Sequence, residues 1–392
     1  MPALLAHVDP DGLLEYSVVY TDRTLNHMSA RFQAVMRGIS QLLGQVYGGA
    51  ACAFVPGTGT AGMEAVARQF AQDGRALVLR NGFFSYRWSQ ILETGRITAP
   101  ENITVLCARP VGDGLQAPYA PAPLDEVREA IARQRPAVVF APHVETASGI
   151  VLPDDYLQAV AAATHEAGGL FVLDCIASGG LWVNMAEVGV DVLITAPQKG
   201  WSSSPCGAML CFSPRALAAL EASQSSSFAL DLKKWRAIMQ AYENGGHAYH
   251  ATLPTTALAE LHAAMLETQA RGWAVVRQQQ IELGRRVRQL LEAAGFASVA
   301  APGFQAPGVV VSYTSDPALQ NASRFIQAGV QAASGVPLMV GEPQGFMSFR
   351  LGLFGLDKLA DPAACAQRLA DALRRMGQLN RSEERRVGKE CR

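Results

Sequence analysis

Residues 171–201 read FVLDCIASGGLWVNMAEVGVDVLITAPQKGW. This stretch contains two short apolar runs: the first ends at Asp174, and the second is followed by Gln198 and Lys199. Short apolar runs that stop at a polar turn are typical of buried parallel strands. Parallel neighbours need a long crossover between them, and chemistry collects at their carboxyl ends. We therefore predict an open α/β sheet with Asp174 and Lys199 at one edge.

An acid and a lysine in these positions suit one cofactor. Pyridoxal 5'-phosphate (PLP) is held by a lysine as a Schiff base, and an acid keeps its ring nitrogen protonated. Lys199 and Asp174 fit those two roles. Taken alone, the pair is read more simply as a helix-capping aspartate and a surface lysine, but the neighbouring motifs favour the cofactor.

The composition indicates an α/β protein with a substantial core. The chain has 392 residues, of which 49% are hydrophobic and 17% charged, with a formal net charge of −1. This length allows two domains, and the charge favours neither nucleic acid nor membrane as a partner. No stretch approaches the roughly 20 apolar residues of a membrane span, and the start lacks the pattern of a signal peptide. The seven cysteines form no CxxC pair or metal-ligand spacing, so we expect a reduced cytoplasmic protein without metal.

The last residues differ from the rest of the chain. Residues 381–392 read RSEERRVGKECR, and eight of the twelve are charged. They resemble translated sequencing-adapter DNA, so we expect them to be a non-native tail; the alternative is an ordinary native tail. We divide the remainder into an N-terminal arm (1–25), a large domain (26–270) and a small C-terminal domain (271–380). A long helix over 257–294 is expected to bridge the two domains.

A glycine-rich turn follows an early strand. Residues 57–62 read GTGTAG and match the G-x-G-x-x-G pattern of dinucleotide sites. The next strand ends in Arg80, which would suit NADP, so an NADP-dependent oxidoreductase is a competing interpretation. The pattern itself predicts only backbone N–H groups and threonine hydroxyls at a helix N-terminus, ready for one phosphate. PLP carries one phosphate, and a tight turn without a ligand is about as plausible as either.

Three further segments carry polar or aromatic groups at positions that favour a site. Phe83 and Phe84 follow the strand that ends at Arg80; an aromatic ring there could stack on a flat cofactor, and both are equally plausible as core or interface residues. Another strand is followed by HVETASG (143–149), where His143 alone is more often structural. Arg350 stands inside an apolar strand, where an unpaired charge is rare. It would suit a substrate carboxylate, or a salt bridge to Glu342.

In this order the motifs resemble the class V aminotransferases of PLP fold type I, over roughly residues 26–375. The nearest branch resembles alanine–glyoxylate and serine–glyoxylate aminotransferases, with 2-aminoethylphosphonate aminotransferases close by. The resemblance implies a large domain with a mostly parallel seven-stranded sheet flanked by helices, and a smaller C-terminal α/β domain. The motifs that carry it are Gly57-Thr58-Gly59-Thr60, Glu145-Thr146-x-Ser148-Gly149, Asp174, Gln198-Lys199-Gly200-Trp201, Tyr249-His250-x-Thr252-x-Pro254 and Arg350-Leu351-Gly352.

The resemblance also implies a role for each matched residue. Lys199 would form the Schiff base and carry the proton, and Asp174 would pair with the pyridinium nitrogen. The other cofactor contacts would be Thr58, Gly59, Thr60 and Gln198 at the phosphate, Phe84 and Ile176 on the two ring faces, and Thr146 at the ring hydroxyl. Tyr249 and Thr252 would reach the cofactor of a partner subunit, which implies a homodimer. Arg350 would bind the carboxylates of an amino acid donor and a 2-oxo acid acceptor.

One segment departs from the family pattern and leaves the substrate open. The family's N-terminal arm usually carries a Pro-Gly-Pro turn, whereas this arm reads EYSVVYTDRTLNHMS. The function expected from the resemblance is ping-pong transfer of an amino group from alanine, serine or a similar donor to glyoxylate or pyruvate. Alternatives are a 2-aminoethylphosphonate–pyruvate aminotransferase, another PLP-dependent lyase, desulfurase or decarboxylase, and a PLP-binding sensor without catalysis.

Overall fold

The computed structural model describes residues 7–379. Residues 1–6 of the predicted arm and the predicted non-native tail, residues 381–392, lie outside the described residues. The strands are β1 (Ala51–Pro56), β2 (Ala76–Arg80), β3 (Ile103–Cys107), β4 (Arg109–Pro110), β5 (Tyr119–Ala120), β6 (Val138–Pro142), β7 (Leu170–Asp174), β8 (Val192–Thr195), β9 (Gly207–Phe212), β10 (Val309–Tyr313), β11 (Ala333–Ser334) and β12 (Ser348–Gly352).

Helices connect most of these strands. They are α1 (Ala30–Tyr47), α2 (Gly59–Phe70), α3 (Phe83–Thr94), α4 (Leu124–Gln134), α5 (Asp154–Glu166), α6 (Met185–Val188), α7 (Pro214–Ala222), α8 (Leu232–Glu243), α9 (Thr255–Arg271), α10 (Trp273–Ala293), α11 (Pro317–Gln320), α12 (Ser323–Gln327), α13 (Leu356–Ala360) and α14 (Pro362–Arg375). A 3₁₀ helix at Pro100–Asn102 precedes β3.

The central sheet has seven strands in the order β1-β9-β8-β7-β6-β2-β3. The pairs from β8 to β3 are parallel, whereas β9 runs antiparallel to both of its neighbours. Every residue of β6, β7, β8 and β9 is buried, as expected for apolar strands covered on both faces by helices. The predicted α/β fold with a mostly parallel seven-stranded sheet is confirmed.

The strand order argues against the dinucleotide interpretation of the glycine-rich turn. A dinucleotide site needs a βαβ unit, in which the strand before the glycine-rich turn and the strand after the helix belong to the same group of parallel strands. Here β1 is an edge strand that pairs only with the antiparallel β9, and four strands separate it from β2. The segment β1–α2–β2 therefore does not form the unit that an NADP-dependent oxidoreductase would require.

The strand register brings the predicted site residues to one edge of the sheet. Pro142 at the end of β6 pairs with Asp174 at the end of β7, and Asp174 pairs with Ile194 of β8. Because parallel strands end on the same side, the loops that follow β6, β7 and β8 lie next to one another. These loops carry Thr146, Ile176 and Lys199.

The predicted single helix over 257–294 is wrong. The structure has two helices, α9 and α10, and they are separated by Gly272. Gly272 has φ +92°, ψ 129°, which is outside the helical region and favours glycine. The apolar spacing continues on both sides of this residue, so the pattern alone predicted one helix.

Residues after the break build a second layer of structure. A three-stranded antiparallel sheet, β10-β12-β11, packs with α10 and α14 around its own buried cluster, which includes Leu283, Phe325, Phe349 and Leu373. The large sheet has a separate core that extends from Leu25 to Met265. These clusters fit the proposed division near residue 271, which remains a prediction. No helix within residues 7–379 is long and apolar enough to cross a membrane.

Candidate active site

Asp174 ends β7 at the carboxyl edge of the sheet, and its side chain is only 8% exposed. Its Oδ1 accepts a hydrogen bond from the backbone N–H of Ile176 at 2.9 Å. Burial raises the pKa of Asp174 to about 6, although that hydrogen bond and the charge of Lys199 lower it. A buried carboxylate held this way can form a strong ion pair with a cationic group that enters the cleft.

Lys199 lies in the turn after β8 and faces the same cleft. Burial lowers its pKa, while the charges of Asp174 and Glu145 raise it and that of Arg350 lowers it. Its Nζ lies 5.9 Å from the ring centroid of Phe84 and 5.8 Å from that of Phe354. A lysine with a lowered pKa is a better nucleophile and proton acceptor near neutral pH than an exposed one.

The glycine-rich turn forms the N-terminus of α2 beside these two residues. The Oγ1 of Thr58 caps the helix by accepting from the N–H of Ala61 at 3.2 Å. A Cβ on Gly59 would lie 2.6 Å from Cδ1 of Ile176, so the side chain of Ile176 would have to shift for any larger residue at this position. The Oγ1 of Thr60 accepts from the Nη1 of Arg87 at 3.1 Å. The turn thus presents hydroxyls, free helix N–H groups and a nearby guanidinium, a combination that attracts anions.

Phe84 is held in place by a buried carboxylate. Glu145 is fully buried and accepts hydrogen bonds from the N–H of Phe84 at 3.2 Å and of Ser85 at 2.8 Å. It also accepts from the Ser85 hydroxyl at 2.6 Å and the N–H of Ala147 at 2.9 Å. Glu145 therefore binds the N-terminus of α3, where a negative charge is favourable.

Replacing Glu145 with glutamine is expected to lower the free energy of unfolding by about 1–3 kcal/mol, because an amide NH₂ would face donors that now bind a carboxylate. Urea unfolding of the two proteins measures this difference. Glu126→Gln is the matched control: Glu126 forms an exposed ion pair with Arg109, and such pairs contribute about 0–1 kcal/mol. Equal losses in both variants would contradict the anchoring role of Glu145.

Thr146 follows Glu145 and has a buried hydroxyl with no hydrogen-bond partner among the described residues. A buried polar atom without a partner is rare in folded proteins and costs free energy. Thr146 lines the cleft, so a group bound in the cleft could supply the missing hydrogen-bond partner.

Arg350 reaches the cleft from β12. Its Nε donates to the carbonyl of Ser334 at 2.8 Å and its Nη1 to the carbonyl of Thr146 at 3.4 Å. Its guanidinium carbon lies 5.3 Å from the ring centroid of Phe84. The alternative salt bridge to Glu342 is not formed, because Glu342 accepts instead from the N–H groups of residues 338–340. Within residues 7–379 no carboxylate lies within 4.0 Å of Arg350.

The structure brings most of the residues predicted from sequence into one cleft. Nine of them line it together: Thr58, Gly59, Thr60, Phe84, Thr146, Asp174, Ile176, Gln198 and Lys199. Tyr249 and Thr252 do not belong to this lining. Tyr249 is 54% exposed, and its hydroxyl lies 3.1 Å from the Oγ1 of Thr252. Within one protomer these two side chains therefore do not complete the cleft.

Two contributors were missed in the sequence. Arg87 lines the cleft and lies three residues after Phe84 on α3, so a helical reading of NGFFSYR would have placed both on one face. Glu145 belongs to the motif Glu145-Thr146-x-Ser148-Gly149, but no role was assigned to it from the sequence. Three of the four groups that donate hydrogen bonds to it lie on α3, far away in the sequence, and the fourth lies in its own loop. His143, expected to be structural, is buried with its Nδ1 2.7 Å from the Ser178 Oγ. Burial lowers the pKa of His143 to about 4.

Comparisons with known proteins agree on one family. The family model described as "Aminotransferase class-V" matches residues 12–321. A 2-aminoethylphosphonate–pyruvate transaminase of Burkholderia ambifaria is 30% identical, over 83% of this chain and 83% of its own length. An L-aspartate–glyoxylate aminotransferase of Paracoccus denitrificans is also 30% identical, over 61% of this chain and 57% of its own.

Solved structures show the same fold. An alanine–glyoxylate aminotransferase from Nostoc sp. superposes with a TM-score of 0.76 at 24% identity, covering 90% of this chain and 89% of that one. A pyridoxamine–pyruvate aminotransferase from Mesorhizobium loti gives 0.74 at 20% identity, covering 92% and 90%. At these identities the likeness concerns the fold alone.

Proposed function

The chain belongs to the class V aminotransferase family, and we propose that it transfers an amino group from a small amino donor to a 2-oxo acid such as glyoxylate or pyruvate. The family is PLP-dependent, so the chain is a PLP-dependent transaminase, as the sequence motifs predicted. The observation that carries the substrate proposal is the cleft at the sheet edge, which Lys199, Asp174 and Phe84 line. The guanidinium of Arg350 lies beside this lining, 5.3 Å from the ring centroid of Phe84.

The residues of the cleft fit PLP. The buried hydroxyl of Thr146 lacks a partner, and a phenolic oxygen would supply one. The buried carboxylate of Asp174 has a raised pKa, and a protonated ring nitrogen would neutralise its charge. Gly59 lines the cleft at the N-terminus of α2, where helix N–H groups would suit the phosphate. Each observation concerns a different part of the cofactor, and together they support one binding mode.

We assign the roles of the chain's residues accordingly. Lys199 binds the cofactor covalently, and Asp174 pairs with its ring nitrogen. Thr58, Gly59, Thr60 and Gln198 bind the phosphate, Phe84 and Ile176 contact the ring, and Thr146 binds the ring hydroxyl. PLP supplies an electron sink that stabilises negative charge on the substrate carbon.

Lys199 also moves the proton in this proposal. When not bound to the cofactor, its amine would accept the proton from the substrate Cα and later give it back, so one side chain would act as base and as acid. Burial, which lowers the pKa of Lys199, increases the fraction of neutral amine. Asp174, which is buried, would keep its negative charge at the ring nitrogen in both half-reactions.

Arg350 is the proposed substrate-binding residue. Arg350 is half-buried and has no acidic partner within the described chain, and two backbone carbonyls accept hydrogen bonds from its guanidinium beside the cleft. A planar guanidinium without an acidic partner can bind a carboxylate through two parallel hydrogen bonds. Both substrates of the ping-pong reaction would use it in turn, because only one occupies the cleft at a time.

A second donor class is favoured by one observation. A 30% identical relative carries the name 2-aminoethylphosphonate–pyruvate transaminase and covers 83% of this chain. A phosphonate is also an anion that an arginine fork binds, so 2-aminoethylphosphonate with pyruvate is the alternative substrate pair.

A panel of donors and acceptors tests the proposal. The purified protein, saturated with PLP, is incubated with alanine, serine, aspartate or 2-aminoethylphosphonate, each with glyoxylate or pyruvate. We expect stoichiometric formation of one new amino acid and one new oxo compound for at least one pair. Decarboxylation of the donor with every pair, or no product with every pair, would contradict a transaminase acting on small donors.

We further propose that the protein works as a homodimer in the cytoplasm. Tyr249 and Thr252 lie outside the cleft of their own protomer and expose polar atoms, which supports a role in the cofactor site of a partner. The cysteines at 52, 107, 175, 206, 211 and 365 are all unpaired in the described chain, which supports a reducing compartment.

Replacing Arg350 with lysine is expected to lower kcat/KM for the oxo acid roughly tenfold to hundredfold, because lysine keeps the charge but loses the two-pronged geometry. Steady-state kinetics with varied acceptor measures this change, and the donor should suffer a similar loss. Arg324→Lys is the control, since Arg324 pairs with Asp316 away from the cleft. Unchanged kcat/KM for both substrates in the Arg350 variant would contradict its role.

A further inference from the structure

Arg87 on α3 enters the cleft without a role in the family resemblance stated above. We propose that Arg87 binds the phosphate group of the cofactor and supplies the positive charge of that subsite. The inference rests on the proposed cofactor site and adds one binding residue to it.

The first observation is the position of Arg87 at the N-terminus of α2. Its Nη1 donates to the Oγ1 of Thr60 at 3.1 Å, and it lines the cleft together with Thr58 and Gly59. The first N–H groups of a helix have no partner within the helix and favour an anion. Arg87 therefore lies beside the backbone donors that would bind a phosphate.

The second observation is that the charge of Arg87 is unpaired. Across residues 7–379 no carboxylate lies within 4.0 Å of its guanidinium, although the group is half-buried. The hydrogen bond to Thr60 uses one of five guanidinium N–H groups. The guanidinium of Arg87 therefore has N–H donors available for an anion that binds at the N-terminus of α2.

The third observation concerns the other groups expected to bind the phosphate. The side chains of Thr58, Thr60 and Gln198 and the backbone of Gly59 are all neutral, whereas a phosphate monoester carries a charge of about −1.5 to −2 near neutral pH. Lys199 is engaged with the other end of the cofactor. Arg87 is thus the residue that would compensate this charge from within the protomer, and arginine matches phosphate with paired N–H donors.

The ring of Phe84 holds the guanidinium in position. The guanidinium carbon of Arg87 lies 4.8 Å from the ring centroid, a cation–π distance. Phe84 and Arg87 are three residues apart on α3, so they share one face. Because Glu145 fixes the start of α3, the guanidinium is placed before any ligand arrives.

A role for Arg87 in binding the substrate anion fits the contacts less well. Arg350 also lies over Phe84, at 5.3 Å, but its hydrogen bonds go to Thr146 and Ser334. The hydrogen bond of Arg87 goes to Thr60, on α2. The two arginines are therefore tied to different elements, and the one tied to α2 is the phosphate ligand.

The test compares two ligands that differ only in the phosphate. The dissociation constants of PLP and of pyridoxal, which lacks the phosphate, are measured by absorbance titration of the cofactor-stripped full chain. In Arg87→Gln we expect PLP to bind about tenfold to hundredfold more weakly, while the pyridoxal constant stays within about twofold of wild type. Arg87→Lys keeps the charge and should fall between the two. Arg133→Gln, at an exposed position on α4, should change neither constant.

Each other outcome overturns the inference in a distinct way. An unchanged PLP constant in Arg87→Gln would show that Arg87 does not bind the phosphate. Equal weakening of PLP and pyridoxal would show that it only supports the structure of the cleft. An unchanged PLP constant with a raised KM for the donor would assign it to the substrate anion. If the wild-type chain bound neither aldehyde, the proposed cofactor site itself would be wrong.

Discussion

Lys199→Ala is expected to lower turnover by roughly three or more orders of magnitude, because one side chain carries both the covalent bond to the cofactor and the proton transfer. Its Nζ lies in the cleft between Phe84 and Phe354, and no other lysine lines that cleft. Turnover with the best donor–acceptor pair measures the loss. The visible absorption band of lysine-bound PLP should disappear as well.

Two controls separate this effect from misfolding. Lys233→Ala removes a lysine whose Nζ binds the carbonyl of Glu221 outside the cleft, and it should keep wild-type activity. Added methylamine should restore a small part of the activity of Lys199→Ala, because a free amine can replace the missing base. Full activity in Lys199→Ala would refute the assignment of this residue.

Asp174→Asn is expected to lower kcat roughly a hundredfold or more and to weaken cofactor binding. Asparagine retains the shape and can still accept from the N–H of Ile176, as Oδ1 now does. It removes the buried negative charge that would pair with the ring nitrogen, and a charge-assisted bond is about twice as strong as a neutral one. Steady-state kinetics and a PLP titration measure the two effects.

The same residue predicts a pH dependence of cofactor binding. Burial raises the pKa of Asp174 to about 6 in the free protein, so the carboxylate is ionised above that pH and protonated below it. Below that pH a proton must leave Asp174 before its ion pair with a protonated ring nitrogen can form, which weakens binding. PLP affinity should therefore fall as the pH drops from 7 to 5 in wild type.

The Asn variant tests the origin of that dependence. Asp174→Asn cannot ionise, so its PLP affinity should lack the component of the fall that Asp174 causes. Asp125→Asn, a change at an exposed residue of α4, should keep the wild-type profile. The same loss of affinity towards pH 5 in wild type and Asp174→Asn would contradict the role of Asp174.

The sequence alone predicted the elements that depend on local pattern. Asp174 and Lys199 each follow an apolar run that became a fully buried strand, and strand ends of parallel sheets gather on one edge. The glycine-rich turn lies at the N-terminus of α2, as its sequence pattern predicted. These features depend on a few neighbouring residues, so a single sequence contains enough information to find them.

Features that depend on distant parts of the chain were not predictable in this way. The edge position of β1 arises because β9, some 150 residues later, inserts between β1 and β8. The break at Gly272 was hidden because apolar residues keep helical spacing on both sides of it. The proposed role of Arg87 depends on its hydrogen bond to Thr60, which lies on another helix. The alternative salt bridge between Arg350 and Glu342 does not form, because Glu342 accepts hydrogen bonds from its own loop.

The most direct test of the account is to identify the lysine that binds the cofactor. The chain contains five lysines, at positions 199, 233, 234, 358 and 389. Borohydride reduction of the PLP-loaded protein fixes the cofactor to its lysine, and mass spectrometry of the peptides then locates it. We predict a pyridoxyl-phosphate label on Lys199 in stoichiometric yield. A label on another lysine, or no label after saturation with PLP, would contradict the central claim.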